Sequence, residues 1–197
     1  MPDPTKSIQR RHLLTGLCGL SVGTGRIGNA QDGGDDPMAA PREGDQLVFA
    51  FGDREGQLIA PTDLLLGSRQ VFAHAMHPET QVIRNYRLNQ VVLIRLNPEW
   101  LSEETRARSA DGIVAYSGVC THTGCDVDLW NAEVNRFQCP CHESQFDPSD
   151  GARVVGGPAP WQLAALPLQL IEGRLTVAGD FIGRVGFQQN ALDPFGL

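Results

Sequence analysis

At 197 residues with 41% hydrophobic content, the chain can bury one sizeable core, and a single domain is the expectation. An aromatic content of 7% beside 22 glycines and 13 prolines suits short strands joined by many turns and argues against long helices. A formal net charge of −7 leaves no basic stripe for phosphates, which excludes nucleic acid as a partner and leaves an acidic surface suited to solubility or to a basic partner.

In chain order, Ser7-Ile8-Gln9-Arg10-Arg11-His12-Leu13-Leu14 places a twin arginine before a weakly apolar, Gly-rich stretch, the pattern of a twin-arginine export signal. Leu13 to Val22 is too short and too interrupted by glycine to cross about 30 Å of hydrocarbon, so no transmembrane helix is expected. Residues 1–30 therefore read as a signal peptide, cut before Gln31 and carrying Cys18 away with it. The expected location is the periplasm, with membrane association if the signal stays uncleaved. Its removal leaves 12 basic and 22 acidic residues, no lysine, and four cysteines. An even number, Cys120, Cys125, Cys139 and Cys141, suits an oxidising compartment.

Residues 31–45 carry Gly, Asp, Pro and Ala without apolar periodicity and predict a flexible linker, with order beginning near Leu47. Apolar, β-prone runs then recur at Leu47 to Phe51, Gln70 to Met76, Val91 to Leu96, Ile113 to Ser117, Val134 to Gln138, Leu168 to Ile171 and Arg174 to Val177. They predict an all-β fold, an antiparallel sandwich or barrel. Asn97-Pro98-Glu99-Trp100 through Arg108 is the one helical candidate, with early acidic and late basic residues matching the helix dipole. Glu172-Gly173, and Asp53 with Gly56, read as hairpin turns.

Two short segments carry the chemistry: Cys120-Thr121-His122-Thr123-Gly124-Cys125 and Cys139-Pro140-Cys141-His142-Glu143-Ser144. Each offers one thiolate and one imidazole close enough in sequence to reach different atoms of one small inorganic core. The 16 residues between His122 and Cys139 suffice for a hairpin from Val127 to Trp130 and Val134 to Gln138. Zinc accepts the same Cys2His2 donors, but structural zinc motifs usually pair two cysteines in one half and two histidines in the other. Two ordinary disulfides would leave both histidines without a role.

Both segments resemble the cluster-binding loops of Rieske proteins, those of cytochrome bc complexes and of arsenite oxidase small subunits. Gly157-Pro158-Ala159-Pro160 resembles the proline loop that covers the cluster in that family. The resemblance implies a Rieske domain over residues 46–197, with a cluster-binding subdomain at about 118–160. It implies one 2Fe-2S cluster per chain, with Cys120 and Cys139 on the buried iron and His122 and His142 on the exposed one. Cys125 and Cys141 would form a disulfide between the loops, and Ser144 would donate a hydrogen bond to the cluster. A second donor position, Tyr in quinol-oxidising members, is Phe146 here, which implies a lower potential.

No residue is expected to act as a catalytic acid, base or nucleophile; the implied activity is single-electron transfer. Asp111-Gly112-Ile113-Val114-Ala115-Tyr116-Ser117, the short interloop insert and Phe146 look most like an arsenite oxidase small subunit. Such a subunit docks on a larger molybdopterin subunit and passes electrons to a soluble cytochrome c or copper protein. The alternative implied by resemblance is the quinol-oxidising subunit of a cytochrome bc-type complex. A Rieske oxygenase needs two further histidines for mononuclear iron, and His74 and His77 read as strand or surface residues. Trp161, Gln188 and Asn190 mark the distinctive surface around Phe181-Ile182-Gly183-Arg184, and Glu143 reads as an exposed loop charge.

Overall fold

The run Val91-Val92-Leu93-Ile94 lacks any polar alternation, and the strand it forms is buried on both faces. The structure, a computed structural model, describes residues 36–187. The expected signal peptide, Cys18, the start of the expected linker, Gln188 and Asn190 lie outside those residues.

Within strand β3 (Val91–Arg95), Val92 and Ile94 point into one core while Val91 and Leu93 point into another. Strand β4 (Ile113–Ser117) divides the same way, Val114 and Tyr116 against Ile113 and Ala115. These two strands join β1 (Gln46–Phe49), β2 (Val71–Met76), β9 (Leu168–Ile171) and β10 (Arg174–Val177) in a six-stranded antiparallel sheet ordered β4-β3-β2-β1-β10-β9. The sheet curls back on itself. Ser117 N–H donates to the Ala164 carbonyl at 2.8 Å and Leu166 N–H to the Ala115 carbonyl at 2.9 Å, so the chain entering β9 pairs with β4 at the opposite edge. Glu172 (φ 51°) and Gly173 (φ 76°) turn β9 into β10, as expected of a two-residue hairpin.

A second antiparallel sheet holds β5 (Leu129–Asn131), β6 (Arg136–Gln138), β7 (Gln145–Asp147) and β8 (Arg153–Gly156) in sequential order. Trp130, Phe137, Phe146 and Val154 lie opposite one another across these strands and share one face. That face packs into the core that also contains Cys120 and Cys139. Each large side chain fully buried there contributes roughly 1.5–3 kcal/mol of hydrophobic stabilisation. Tyr116 bridges the sheets: its ring stands edge-on to Phe137 at 6.3 Å and its hydroxyl donates to the Pro148 carbonyl at 2.8 Å. Burial raises its phenol pKa well above the ordinary value.

Two expectations change. The helical candidate divides into a 3-10 turn, Pro98–Trp100, and a five-residue helix α1, Glu103–Ala107. Two caps cause the break: Asn97 Oδ1 accepts from Glu99 N–H and Ser102 Oγ from Thr105 N–H, each starting its own turn. Residues 36–45, expected to be linker, are held on the domain. Arg84 donates to the Asp45 carboxylate and the Asp36 carbonyl, and Asn89 Nδ2 donates to the Ala39 carbonyl at 2.7 Å. Asp45 and Arg84 are 2% and 1% exposed. No described helix is long and apolar enough to cross a membrane.

Candidate metal centre

Both motif segments are tight loops closed by backbone hydrogen bonds, which brings distant thiols and imidazoles together. The first follows β4. Val127 N–H donates to the Gly118 carbonyl at 2.9 Å, Cys120 N–H to Cys125 at 2.8 Å, and Gly124 N–H back to Cys120 at 3.0 Å. Gly124, at φ 82°, supplies the left-handed step that this turn requires. The second loop joins β6 to β7 and is closed by Cys139 N–H donating to the Ser144 carbonyl at 2.9 Å. Glu143, at φ 58° and exposed, makes its turn and lies open to solvent. A disulfide joins Cys125 of one loop to Cys141 of the other, 16 residues apart. Closing a loop of that size stabilises the fold by roughly 3 kcal/mol.

Cys120 and Cys139 are free and buried, which excludes the pairing of all four cysteines in disulfides. Burial pushes the Cys139 thiol up to about 11, while backbone N–H groups of Cys141 and His142 aim at it and favour the thiolate. The neighbouring Cys120 thiol also raises the Cys139 pKa. Such a sulfur is held as a thiolate only by a cation beside it, and a coordinated thiol loses its proton outright. The sulfurs of Cys125 and Cys141 lie within 4.8 Å of that of Cys139, but the bridge engages both.

His122 and His142 face each other with ring centroids 4.6 Å apart and planes at 89°. His122 is half-buried, and its Nδ1 is buried without a hydrogen-bond partner, while His142 is exposed. A buried imidazole nitrogen without a protein hydrogen-bond partner fits a role as a metal ligand. Two buried thiols and two imidazoles nearer the surface make a graded donor set that fits an asymmetric iron–sulfur core.

The proline loop seals the site from the third side. Gly157 has φ 78°, and a Cβ there would sit 2.5 Å from Ser144 Cα and 2.8 Å from the Glu143 carbonyl oxygen, so only glycine allows this approach. Ala159 N–H donates to Ser144 Oγ at 3.1 Å. The Ser144 side chain is 0% exposed, and with one lone pair occupied its own proton stays available for an acceptor in the site. Phe146 is fully buried one residue into β7, with no polar atom to offer. Of the remaining singled-out residues, Trp161 is exposed beneath the Arg184 guanidinium, 4.6 Å from its ring centroid. His74 lies on β2 edge-on to Phe51, and His77 Nδ1 accepts from Glu79 and Thr80 N–H groups.

Sequence reading missed the supports. Thr121 Oγ1 donates to the Trp161 carbonyl at 2.6 Å, tying the first loop to the proline loop. Arg87 Nη2 donates to the Gly124 carbonyl at 2.7 Å and pairs with Asp126 at 2.8 Å, while Gln90 Nε2 donates to the same carboxylate. These contacts end on backbone atoms or surface charges and leave no motif; only the Gly before Pro158 offered a hint.

A family model described as the Rieske [2Fe-2S] domain matches residues 73–167, a span holding both loops and the proline loop. Among curated relatives, a Rieske iron-sulfur subunit of the cytochrome bc1 complex of Streptomyces lividans is 43% identical over 98 residues, covering 49% of this chain and 58% of the relative. A Rieske subunit assigned to a respiratory nitrate reductase of Haloferax mediterranei is 53% identical over 76 residues, covering 38% of this chain and 34% of that one. Among solved structures, the soluble domain of Rieske protein II from Sulfolobus acidocaldarius is similar at a TM-score of 0.36 and 24% identity, over 49% of this chain and 68% of that one. The chain thus spans less than two thirds of the length of these curated relatives. On the match and on the donor set, this chain carries a Rieske [2Fe-2S] domain homologous to bc1 Rieske subunits, and its cofactor is a Rieske 2Fe-2S cluster.

Proposed function

We propose that the chain relays single electrons, with Cys120 and Cys139 holding the inner iron and His122 and His142 the outer one, as the small subunit of an exported oxidoreductase of the arsenite oxidase kind. The gradient of burial carries the electron-relay part of this reading: both cysteines are fully buried, His122 is half-buried and His142 is exposed. The cluster supplies a one-electron couple. The chain places the histidine edge at the surface, where an electron passes to a docked partner without bond making, and seals the sulfur side from water beneath the proline loop and the Cys125–Cys141 bridge.

Ser144 and Phe146 then set the driving force. Hydrogen bonds to cluster sulfur favour the reduced form and raise the potential. Ser144 has a proton to give and Phe146 has none, so the potential falls below that of a homologue with Tyr at the second position, within the family range of about −150 to +300 mV. Phe146→Tyr is expected to raise the midpoint in an EPR-monitored redox titration. An unchanged or lower midpoint would show that this position does not tune the cluster.

Export through the twin-arginine segment places the chain in the periplasm, and a disulfide between loops suits an oxidising compartment. The expected partners are a larger redox subunit, molybdopterin-containing in this reading, and a soluble cytochrome c or copper protein. The bc1 relative favours a second reading, a quinol-oxidising subunit. The test is to purify the chain with its bound partners and follow the reduced-cluster EPR signal after adding arsenite or a quinol. Signal with arsenite and subsequent reoxidation by cytochrome c supports the first reading; signal with quinol alone overturns it in favour of the second.

A further inference from the structure

Gly124 sits between His122 and the bridged Cys125, and its bare Cα is covered from outside by Phe187. A Cβ built on Gly124 would lie 2.6 Å from two carbons of the Phe187 ring, so the ring rests directly on the loop backbone. Phe187 reaches that position because Gly186, at φ 69°, turns the chain close against Leu88 and Val119. Around the same peptide, Arg87 holds the Gly124 carbonyl and is itself anchored to Asp126, which Gln90 also binds. The segment from His122 to Cys125 is thereby held by an aromatic ring and by a guanidinium. The ring keeps 41% of its surface exposed, which is more than a residue serving only the core would.

We propose that Phe187 is a positioning residue for the first cluster-binding loop, a latch that closes over Gly124 and limits access to the Cys125–Cys141 bridge beside it. No atom of Phe187 needs to touch the cluster; it acts by suppressing local opening of the turn. A reductant reaches a protected disulfide in proportion to the population of the opened loop, so removing the latch shows as a rate.

The test uses the full cluster-loaded chain exposed to dithiothreitol. Each reductant molecule passes two electrons to the bridge, becomes a cyclic disulfide, and leaves one thiol on Cys125 and one on Cys141; both are trapped by alkylation and counted by mass. Phe187→Ala is expected to accelerate bridge reduction by roughly three- to tenfold, as loss of one packed ring raises the open population. Phe187→Trp is expected to restore the slow rate. Gly124→Ala both collides with the ring and strains the left-handed turn at φ 82°, so it is expected to accelerate reduction at least as much, with the double variant no faster than Gly124→Ala alone, because the ring contact can be lost only once. A Phe187→Ala rate within about twofold of the parent, or accelerations that multiply in the double variant, would overturn the latch. Should Gly124→Ala fail to fold, the Phe187→Ala and Phe187→Trp pair decides alone. Dithiothreitol also reduces the cluster, so the second reading is the rate of iron release to a chromogenic chelator during the same reaction, expected to rise with bridge reduction.

Discussion

Replacing Cys139 by serine is expected to abolish the EPR signal of the dithionite-reduced chain and bleach its visible absorption. Its sulfur is buried beside the Cys120 thiol; burial and that thiol both raise its pKa, and it is addressed by two backbone N–H groups that would stabilise a thiolate there. A serine hydroxyl fills nearly the same space but does not ionise at neutral pH and is a poor ligand for iron that selects soft sulfur. His142→Ala is expected to remove the signal too, at almost no folding cost, since the ring is exposed. Far-UV circular dichroism of both variants should match the parent, because the loop backbone is closed by Cys139 N–H to Ser144 and by the disulfide rather than by these side chains. The parent signal should show the low average g value that all-cysteine clusters lack. Full signal in either variant would remove that residue from the ligand set, and a silent parent containing stoichiometric zinc would end the electron-transfer reading.

What could be read from the sequence follows from where the information resides. Strands β4, β9 and β10 lie at the predicted residues, β2 and β3 each differ by one residue at one end, and β1 starts one residue and ends two residues before its predicted bounds, because apolar, β-prone side chains mark each run. β7 and β8 escaped notice. They are three and four residues long, β7 holds a single fully buried side chain, and a register shift between Gln145 and Phe146 breaks any period-2 pattern. The candidate centre was legible in its chemistry because Cys and His are rare and the spacing within each loop is short. The elements that aim those groups were not: Gly157 seated on Ser144, Thr121 on the Trp161 carbonyl and Phe187 on Gly124 are contacts of ordinary residues with backbone. Nothing near Asp45 in the sequence announces a partner, since Arg84 lies 39 residues away, so the segment before β1 reads as linker.

That ion pair gives the second large expected effect. Arg84→Met is expected to destabilise the folded chain by roughly 3–5 kcal/mol, the usual cost of leaving one buried charge without its partner. The pair is nearly dry on both sides and forked, with Arg84 Nε donating to one Asp45 oxygen at 2.6 Å and Nη2 to the other at 3.4 Å. Asp45 also accepts from Arg42 N–H at 2.9 Å, and its backbone carbonyl accepts from Val177 N–H at 2.8 Å beside β10. Removing the guanidinium therefore leaves a carboxylate in the wall of the fold and also frees residues 36–45 from their anchor. At roughly 2–4 °C per kcal/mol for a domain of this size, thermal unfolding should fall by about 6–20 °C. Asp45→Leu combined with Arg84→Met should recover much of that loss, since an apolar pair of similar volume avoids the desolvation that both charges suffer. A drop of less than about 1 kcal/mol for Arg84→Met would mean that Asp45 finds water or another cation on losing Arg84, and that the segment before β1 is held by Asn89 and the backbone instead.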